Sequence, residues 1–136
     1  MNKRSQDIEE VCAGFHGTIL EFITDLRNNV LTKIEEQTLL DAVRIKFEKE
    51  NSQKVLKNFS KRALPHIAQI QSRDDKYFLA NMNIFLEIPA KHLDYFTKVW
   101  NDKKRMTPTN MTVCWNYLIT MITLAETDSV LVKETF

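Results

Sequence analysis

Glycine and proline are scarce in this sequence, which has 2 Gly and 3 Pro among 136 residues. Tight β-hairpin turns often need a positive φ angle, and glycine is the residue that adopts it most easily. The shortage of such residues disfavours an all-β fold and favours helices joined by short polar connections. A chain of this length forms one domain and can bury a core without a disulfide or a metal.

Long apolar runs are also absent. No run approaches the roughly 18 residues that a membrane-spanning helix needs, and the first ten residues, MNKRSQDIEE, lack the apolar segment of a signal peptide. We therefore expect no membrane span and an intracellular, non-secreted protein. Cys12 and Cys114 have no metal-type spacing. In such a protein we expect two reduced core residues rather than a disulfide.

The common catalytic motifs are missing as well. The sequence has no glycine-rich phosphate loop, no His-Glu-x-x-His helix and no serine elbow. Asp74 and Asp75 are adjacent, so on a helix their side chains point apart, and they suit a helix N-terminus better than an acid–base pair. The histidines are scattered singly, at His16, His66 and His92. The sequence therefore predicts a protein that is not an enzyme, with no catalytic residue, cofactor or metal.

A first helix is predicted from residue 5 to residue 30. Its apolar residues recur at spacings of 4, 3, 4, 3 and 4, which is typical of a helix that packs on the core along its whole length. These residues are Ile8, Cys12, Phe15, Ile19, Phe22 and Leu26. Gly14 and Gly17 weaken the helix, each by up to about 1 kcal/mol relative to alanine. They either let a neighbouring helix approach closely or mark a break.

A second helix is predicted from residue 33 to about residue 50. Thr32 and Glu35 have capping-box spacing, in which the hydroxyl accepts from the Glu35 amide while the glutamate reaches back. Four residues of this helix are expected to point inward: Ile34, Leu39, Val43 and Phe47.

A third helix is predicted from Ser52, whose side chain can cap a helix N-terminus, to residue 64. Its apolar residues are Val55, Leu56, Phe59 and Ala63. Pro65 predicts a stop or kink, because proline has no amide hydrogen and disfavours helix in the residue before it. One more turn follows over residues 66–70. A short aromatic helix is then expected from about residue 72, with Tyr77, Phe78, Met82 and Phe85 as its apolar positions.

The C-terminal part holds both tryptophans and predicts a helical hairpin. Pro89 suits the first turn of one helix, and Thr107 with Pro108 makes a cap and first-turn pair for the next. The apolar residues are Leu93, Phe96 and Trp100 in one helix and Met111, Trp115, Leu118, Ile122 and Ala125 in the other. Residues 127–136 are predicted to be a tail. The expected fold is all-α, a single compact domain over residues 1–136 with five to six helices and a C-terminal hairpin.

Charge is unevenly distributed, although the formal net charge is only +1. Residues 7–41 hold eight acidic and two basic residues, a net charge of −6, whereas residues 44–62 hold seven basic and two acidic residues, a net charge of +5. The candidate contact residues are Lys54, Lys57, Lys61 and Arg62 in the second segment and Lys103, Lys104 and Arg105 in the turn of the hairpin. Lys54, Lys57 and Lys61 share one helical face.

Two interpretations of these basic residues remain open. They either follow the phosphates of a nucleic acid, or they form solvated helix faces that complement acidic helices within or between subunits. No zinc-finger spacing, RNA-binding aromatic motif or helix-turn-helix supports the first interpretation. Trp100 and Tyr117 are further candidates, because such residues often anchor a protein partner when they are exposed.

A set of aromatic residues is spaced along the C-terminal half: Phe78, Asn83-Ile-Phe85, Val99-Trp100, and Trp115-Asn-Tyr117-Leu118 through Leu124-Ala125. Over roughly residues 78–125 this pattern resembles small uncharacterised helical proteins of large nucleocytoplasmic DNA viruses. In those proteins a short aromatic helix and a helix ending near a tryptophan precede a last helix with W-x-Y-L. The resemblance implies a viral origin and a structural or host-interaction role, and it carries over no catalytic residue.

The sequence as a whole predicts a non-enzymatic helical interaction or assembly protein that binds a protein partner or itself. The alternative is a nucleic-acid-associated protein that uses residues 44–62 and the turn at residues 103–105. The expected location is the cytoplasm or nucleus, or the virion if the protein is viral.

Overall fold

The computed structural model describes residues 3–82 and 90–135, and it describes side chains within residues 5–82 and 92–133. These residues form helices and no strand, which confirms the predicted all-α class. The helices of 12 residues or more are α1 (Lys3–Asn29), α2 (Ile34–Lys49), α3 (Ser52–Ala63), α6 (Ala90–Asn101) and α7 (Pro108–Thr135). Between α3 and α6 lie a 3-10 turn (Leu64–His66), α4 (Ile67–Gln71) and α5 (Asp75–Ala80). Among these helices, none has the length and apolar composition needed to cross a membrane. The predictions for Phe85 and Pro89, and the last residue of the predicted tail, lie outside the described residues.

The core is built around α1 and α7, which make the most extensive helix–helix contact in the described part of the chain. At one end of this pair the Cys12 thiol donates to the Asp128 carboxylate over 4.0 Å. At the other end Asn110 Nδ2 donates to the Asn29 carbonyl over 3.2 Å. These two contacts show that the helices run antiparallel. The apolar repeat predicted for α1 is confirmed, since Cys12, Phe15, Ile19 and Phe22 are buried and Ile8 and Leu26 pack against the core.

Helix α3 packs against both α1 and α7. Its predicted apolar residues Val55, Leu56, Phe59 and Ala63 are all buried, and the rings of Phe59 and Phe15 lie 5.1 Å apart. The N-cap is Asn51 rather than the predicted Ser52, because the Asn51 side chain accepts from the Lys54 amide over 3.1 Å. Pro65 lies in the 3-10 turn that follows α3, and α4 supplies the further turn, as predicted.

The start of α2 differs from the prediction by one residue. Lys33 is the N-cap, and its backbone N–H donates to Glu36 Oε1 over 3.0 Å. Glu36 therefore takes the position that the sequence assigned to Glu35. The reciprocal half of a capping box is missing, because a lysine side chain has no acceptor atom.

The inward face of α2 was also predicted wrongly in part. The residues on the α1 side are Glu36, Leu40, Val43 and Phe47, which are buried or partly buried. Ile34 and Leu39 instead face solvent, with exposed fractions of 79% and 40%. Helix α2 carries apolar residues on two opposite sides, and only one of those sides can meet α1.

The predicted C-terminal hairpin is present, and its two helices meet at their tryptophans. The rings of Trp100 and Trp115 lie edge to face with centroids 5.7 Å apart. Thr107 caps α7 as predicted, since its hydroxyl accepts from the Asn110 amide over 3.2 Å. The predicted tail is wrong, because α7 continues without interruption to Thr135.

The two glycines of α1 neither break the helix nor admit a neighbour. Helix α1 is continuous through Gly14 and Gly17. A Cβ atom added at either position would meet nothing within 4 Å. Both alternatives offered by the sequence are therefore wrong.

Candidate interaction surfaces

The lysines of α3 lie on one face, as predicted. Lys54, Lys57 and Lys61 are all exposed, and Arg62, the next residue along, is exposed on an adjacent side of the helix. Burial raises the pKa of Cys12 and of Asp128, and the nearby charge of Lys57 offsets part of that rise. Lys57 therefore lies beside the end of the α1–α7 pair where these two groups meet.

The second basic cluster lies at the opposite end of α7. Lys103 and Lys104 are exposed in the turn before Pro108, whereas Lys57 lies beside Asp128, which is 20 residues further along the same helix. At 1.5 Å per residue this separation is about 30 Å. The structure therefore does not join the two basic clusters into one surface.

Arg105 is not a free contact residue, contrary to the prediction. Its guanidinium binds the Glu36 carboxylate with both terminal nitrogens, over 2.7 and 3.1 Å. The side chains of Arg105 and Glu36 are only 18% and 7% exposed. This ion pair links the turn before α7 to the first turn of α2.

Glu36 is a buried carboxylate at the centre of a polar cluster that the sequence did not reveal. Its carboxylate accepts from the Arg105 guanidinium, the Lys33 amide and the Tyr95 hydroxyl. Three charge-assisted hydrogen-bond donors compensate the burial of the charge. The signal available in the sequence was the capping box, but the matching threonine assigned it to Glu35.

The two candidate aromatic anchors are held within the fold. Trp100 packs against Phe78, with ring centroids 5.0 Å apart, as well as against Trp115. Its indole nitrogen is buried and has no acceptor among the described residues. Neither Trp100 nor Tyr117 is freely exposed.

Tyr117 stacks on Phe22 with centroids 5.0 Å apart and donates its hydroxyl to Asp25. Burial and the hydrogen bond to Asp25 raise the pKa of Tyr117 to about 12. The phenol therefore stays protonated at neutral pH and acts as a hydrogen-bond donor in the α1–α7 contact.

Two shallow clefts adjoin Asp25. One, of about 200 Å³, includes Asn110 and Cys114, and the other, of about 390 Å³, includes Arg44 and Tyr117. Burial and the Asp25 carboxylate raise the pKa of the Cys114 thiol to about 12, which leaves it protonated and a poor nucleophile. No histidine lines either cleft. In the described part of the chain, no three His, Cys, Asp or Glu side chains cluster in a way that could hold a metal ion.

The described histidine contacts are structural. His16 Nε2 lies 2.5 Å from the backbone carbonyl of Phe47, which joins α1 to the end of α2. His66 Nδ1 is hydrogen-bonded to the Tyr77 hydroxyl. The third histidine, His92, is partly buried.

The outer face of α2 is an exposed apolar surface that the sequence interpretation missed. It consists of Ile34, Thr38, Leu39, Ala42 and Ile45, all of which are exposed. Ile34 and Ile45 are 79% and 51% exposed. Four of the five residues follow one another at spacings of 4, 4 and 3, which places them along one line of the helix. The face could have been recognised from the sequence, because the apolar residues of α2 fall on two sides rather than one.

Comparison with known proteins found no relative of the chain. No family model, no curated protein and no solved structure matches the chain.

Proposed function

We propose that this chain is a non-enzymatic helical interaction protein that acts through the outer face of α2. The observation that carries this proposal is the exposure of two isoleucines, one at the start of α2 and one about a turn before its end, on a helix whose other side is buried against α1. Exposed apolar residues gathered on one face mark interaction sites in soluble proteins more often than scattered ones do. The histidine-free clefts and the protonated thiol beside Asp25 support a role in binding rather than catalysis.

Binding of nucleic acid is the second candidate function. The exposed stripe of Lys54, Lys57 and Lys61 favours it. Two observations count against it: the second basic cluster lies about 30 Å away along α7, and Arg105 is occupied by Glu36. What remains is one stripe of three lysines, which supports at most a few phosphate contacts.

The viral assignment is part of the same proposal and rests on the aromatic pattern of the C-terminal half. A viral structural or host-interaction component would act through a protein surface, which agrees with the use proposed for α2. An intracellular site of action is supported by the two buried, free cysteines.

Site-specific photo-cross-linking tests the proposed function. A benzophenone amino acid at Ile45 is expected to give covalent protein adducts in cells that express the chain, because Ile45 is a half-exposed residue of the proposed surface. The same amino acid at Asn58, which is exposed on α3, is the matched control and is expected to give none. If Ile45 yields no protein adduct, the proposal is wrong.

A gel-shift titration tests the nucleic-acid alternative. Binding that disappears at moderate salt and is lost in the triple variant Lys54→Glu, Lys57→Glu, Lys61→Glu would establish that alternative. We expect no shift at physiological salt with either protein.

A further inference from the structure

We propose that the partner of the outer face of α2 is the same face of a second copy of this chain, with the two α2 helices antiparallel about a twofold axis. The inference rests on the proposed function and names the partner of that surface. Its evidence is the arrangement of apolar and charged residues along α2.

The apolar residues of the outer face are arranged so that two antiparallel copies of the face fit each other. Ile34 and Ile45 are 11 residues apart, which is close to three full turns, so both point the same way. An antiparallel copy centred near residue 40 therefore brings Ile34 of one chain beside Ile45 of the other, twice in each dimer. Leu39, Ala42 and Thr38 lie between the two isoleucine contacts.

One flank of the same face carries matching opposite charges. Glu35 and Lys46 are also 11 residues apart, so they lie on one flank of the helix, near its two ends. The midpoint between them is one residue from the midpoint between the isoleucines. The twofold axis that pairs the isoleucines therefore also places Glu35 of one chain beside Lys46 of the other. A parallel twofold pair would instead turn this flank toward the opposite flank of the second copy, so the Glu35–Lys46 pairs could not form.

The other flank of α2 presents carboxylates whose charge is already compensated. Asp41 accepts from the Arg27 guanidinium over 2.7 and 3.3 Å, and Glu48 accepts from Arg44 over 2.9 Å. Two copies of this flank can therefore approach without uncompensated like charges.

The expected dimer is weak, because the contact is small. A helix of 16 residues is about 24 Å long, and a single antiparallel pair of such helices lies at the low end of specific interface sizes. The association should therefore be concentration-dependent, in the range of transient complexes rather than of obligate dimers.

Sedimentation equilibrium of the full chain between about 1 and about 300 µM tests the inference. The wild-type chain should show a monomer–dimer equilibrium. Glu35→Lys alone and Lys46→Glu alone should each weaken the dimer by roughly tenfold, because each reverses two charge pairs per dimer. An equimolar mixture of these two variants should restore the wild-type affinity, since each then supplies the charge that the other lacks.

Two further variants complete the test. Ile45→Glu should weaken the dimer at least as much as the single charge reversals. Lys54→Glu makes the same charge change as Lys46→Glu but lies on α3, so it should leave the affinity unchanged. Circular dichroism checks that each variant keeps its helix content.

A chain that stays monomeric throughout, or a dimer that Ile45→Glu leaves unchanged, overturns the inference. A dimer that is weakened by the single reversals but not restored by mixing overturns the antiparallel arrangement. If the chain is monomeric while a probe at Ile45 cross-links to a different protein, the second-copy inference fails and the proposed function stands.

Discussion

At the scale of single residues, Glu36 shows how a buried charge joins distant segments. It receives donors from the N-cap of α2, from α6 and from the turn before α7. A buried ion pair of this kind contributes little relative to well-packed apolar residues, yet removing one member leaves an uncompensated charge. We therefore expect the pair to select the arrangement of these segments more than it raises their total stability.

Removing Arg105 should be costly. Arg105→Ala is expected to lower the free energy of unfolding by about 3 kcal/mol, because Glu36 stays buried without its main counter-charge. Urea denaturation measures the change. The matched control is Glu48→Ala, which breaks an ion pair with Arg44 whose side chains are 41% and 46% exposed and should cost less than about 1 kcal/mol. Equal effects of the two substitutions would show that the Glu36 cluster contributes nothing beyond a surface ion pair.

Asp128 is a buried carboxyl whose charge is poorly compensated. It is 6% exposed, its described hydrogen-bond partner is the Cys12 thiol, and burial raises its pKa despite the charge of Lys57. A raised pKa in the folded state means that the carboxyl contributes stability below its unfolded pKa. That contribution is lost as the pH rises through the folded pKa.

Asp128→Asn should therefore stabilise the protein at pH 7, because the amide has a similar shape and no charge. The stability difference between variant and wild type should shrink as the pH falls and vanish below the unfolded pKa, where Asp128 is also neutral. Thermal unfolding between pH 3 and pH 8 measures this difference. Glu126→Gln, at an exposed position of the same helix, should show no such trend. A destabilised Asp128→Asn at neutral pH would mean that the interaction with Lys57 outweighs burial.

At the scale of elements, two interior glycines make α1 less stable than alanine would at the same positions. Gly14 and Gly17 lie inside a continuous 27-residue helix, and added Cβ atoms have room. The glycines cost free energy because they lose more backbone freedom on folding than alanine does.

Gly14→Ala and Gly17→Ala should each stabilise the protein by up to about 1 kcal/mol, and the double variant by roughly the sum. The urea midpoint measures the gain. Ala13→Gly, at an exposed position of the same helix, should lose a similar amount. A loss of stability in either alanine variant would contradict the open space found beside these glycines.

The number of apolar faces on each helix explains which element predictions succeeded. The faces of α1 and α3 were predicted correctly because each has a single apolar face, whose period alone identifies the buried residues. Helix α2 was assigned incorrectly because Ile34 and Leu39 are as apolar as Leu40 and Phe47, and no local interaction distinguishes its two sides. The site at Arg105 was missed for a related reason: its partner Glu36 lies 69 residues away in the chain.

At the scale of the whole molecule, the two cysteines lie far apart within one hydrophobic core. Cys12 lies beside Asp128, and Cys114 precedes Asp128 by 14 residues on α7, which corresponds to about 21 Å. A disulfide requires Cα atoms less than about 7 Å apart, so the reduced state predicted from the sequence is confirmed: both thiols are free and buried.

Both thiols should become reactive only when the whole domain unfolds, because both belong to the same hydrophobic core. The variants Cys12→Ser and Cys114→Ser leave one thiol each. The rates at which a disulfide reagent labels them in native buffer should give the same free energy of opening for both thiols. Two thiols per wild-type chain should react at once in guanidinium chloride. If the thiol at Cys12 reacts more than about tenfold faster, that end of the α1–α7 pair opens separately.

The sequence by itself determined the helical class, the buried faces of α1 and α3, the proline-induced stop and the cap of α7. These features depend on apolar period and on hydrogen bonds between residues a few positions apart, which can be read along the chain. Only the tertiary structure decided which side of α2 is buried, that Arg105 is bound by Glu36, that Tyr117 is bound by Asp25, and that the two basic clusters lie far apart. The two hydrogen bonds join residues 69 and 92 positions apart. All four outcomes follow from how the helices pack rather than from any local pattern.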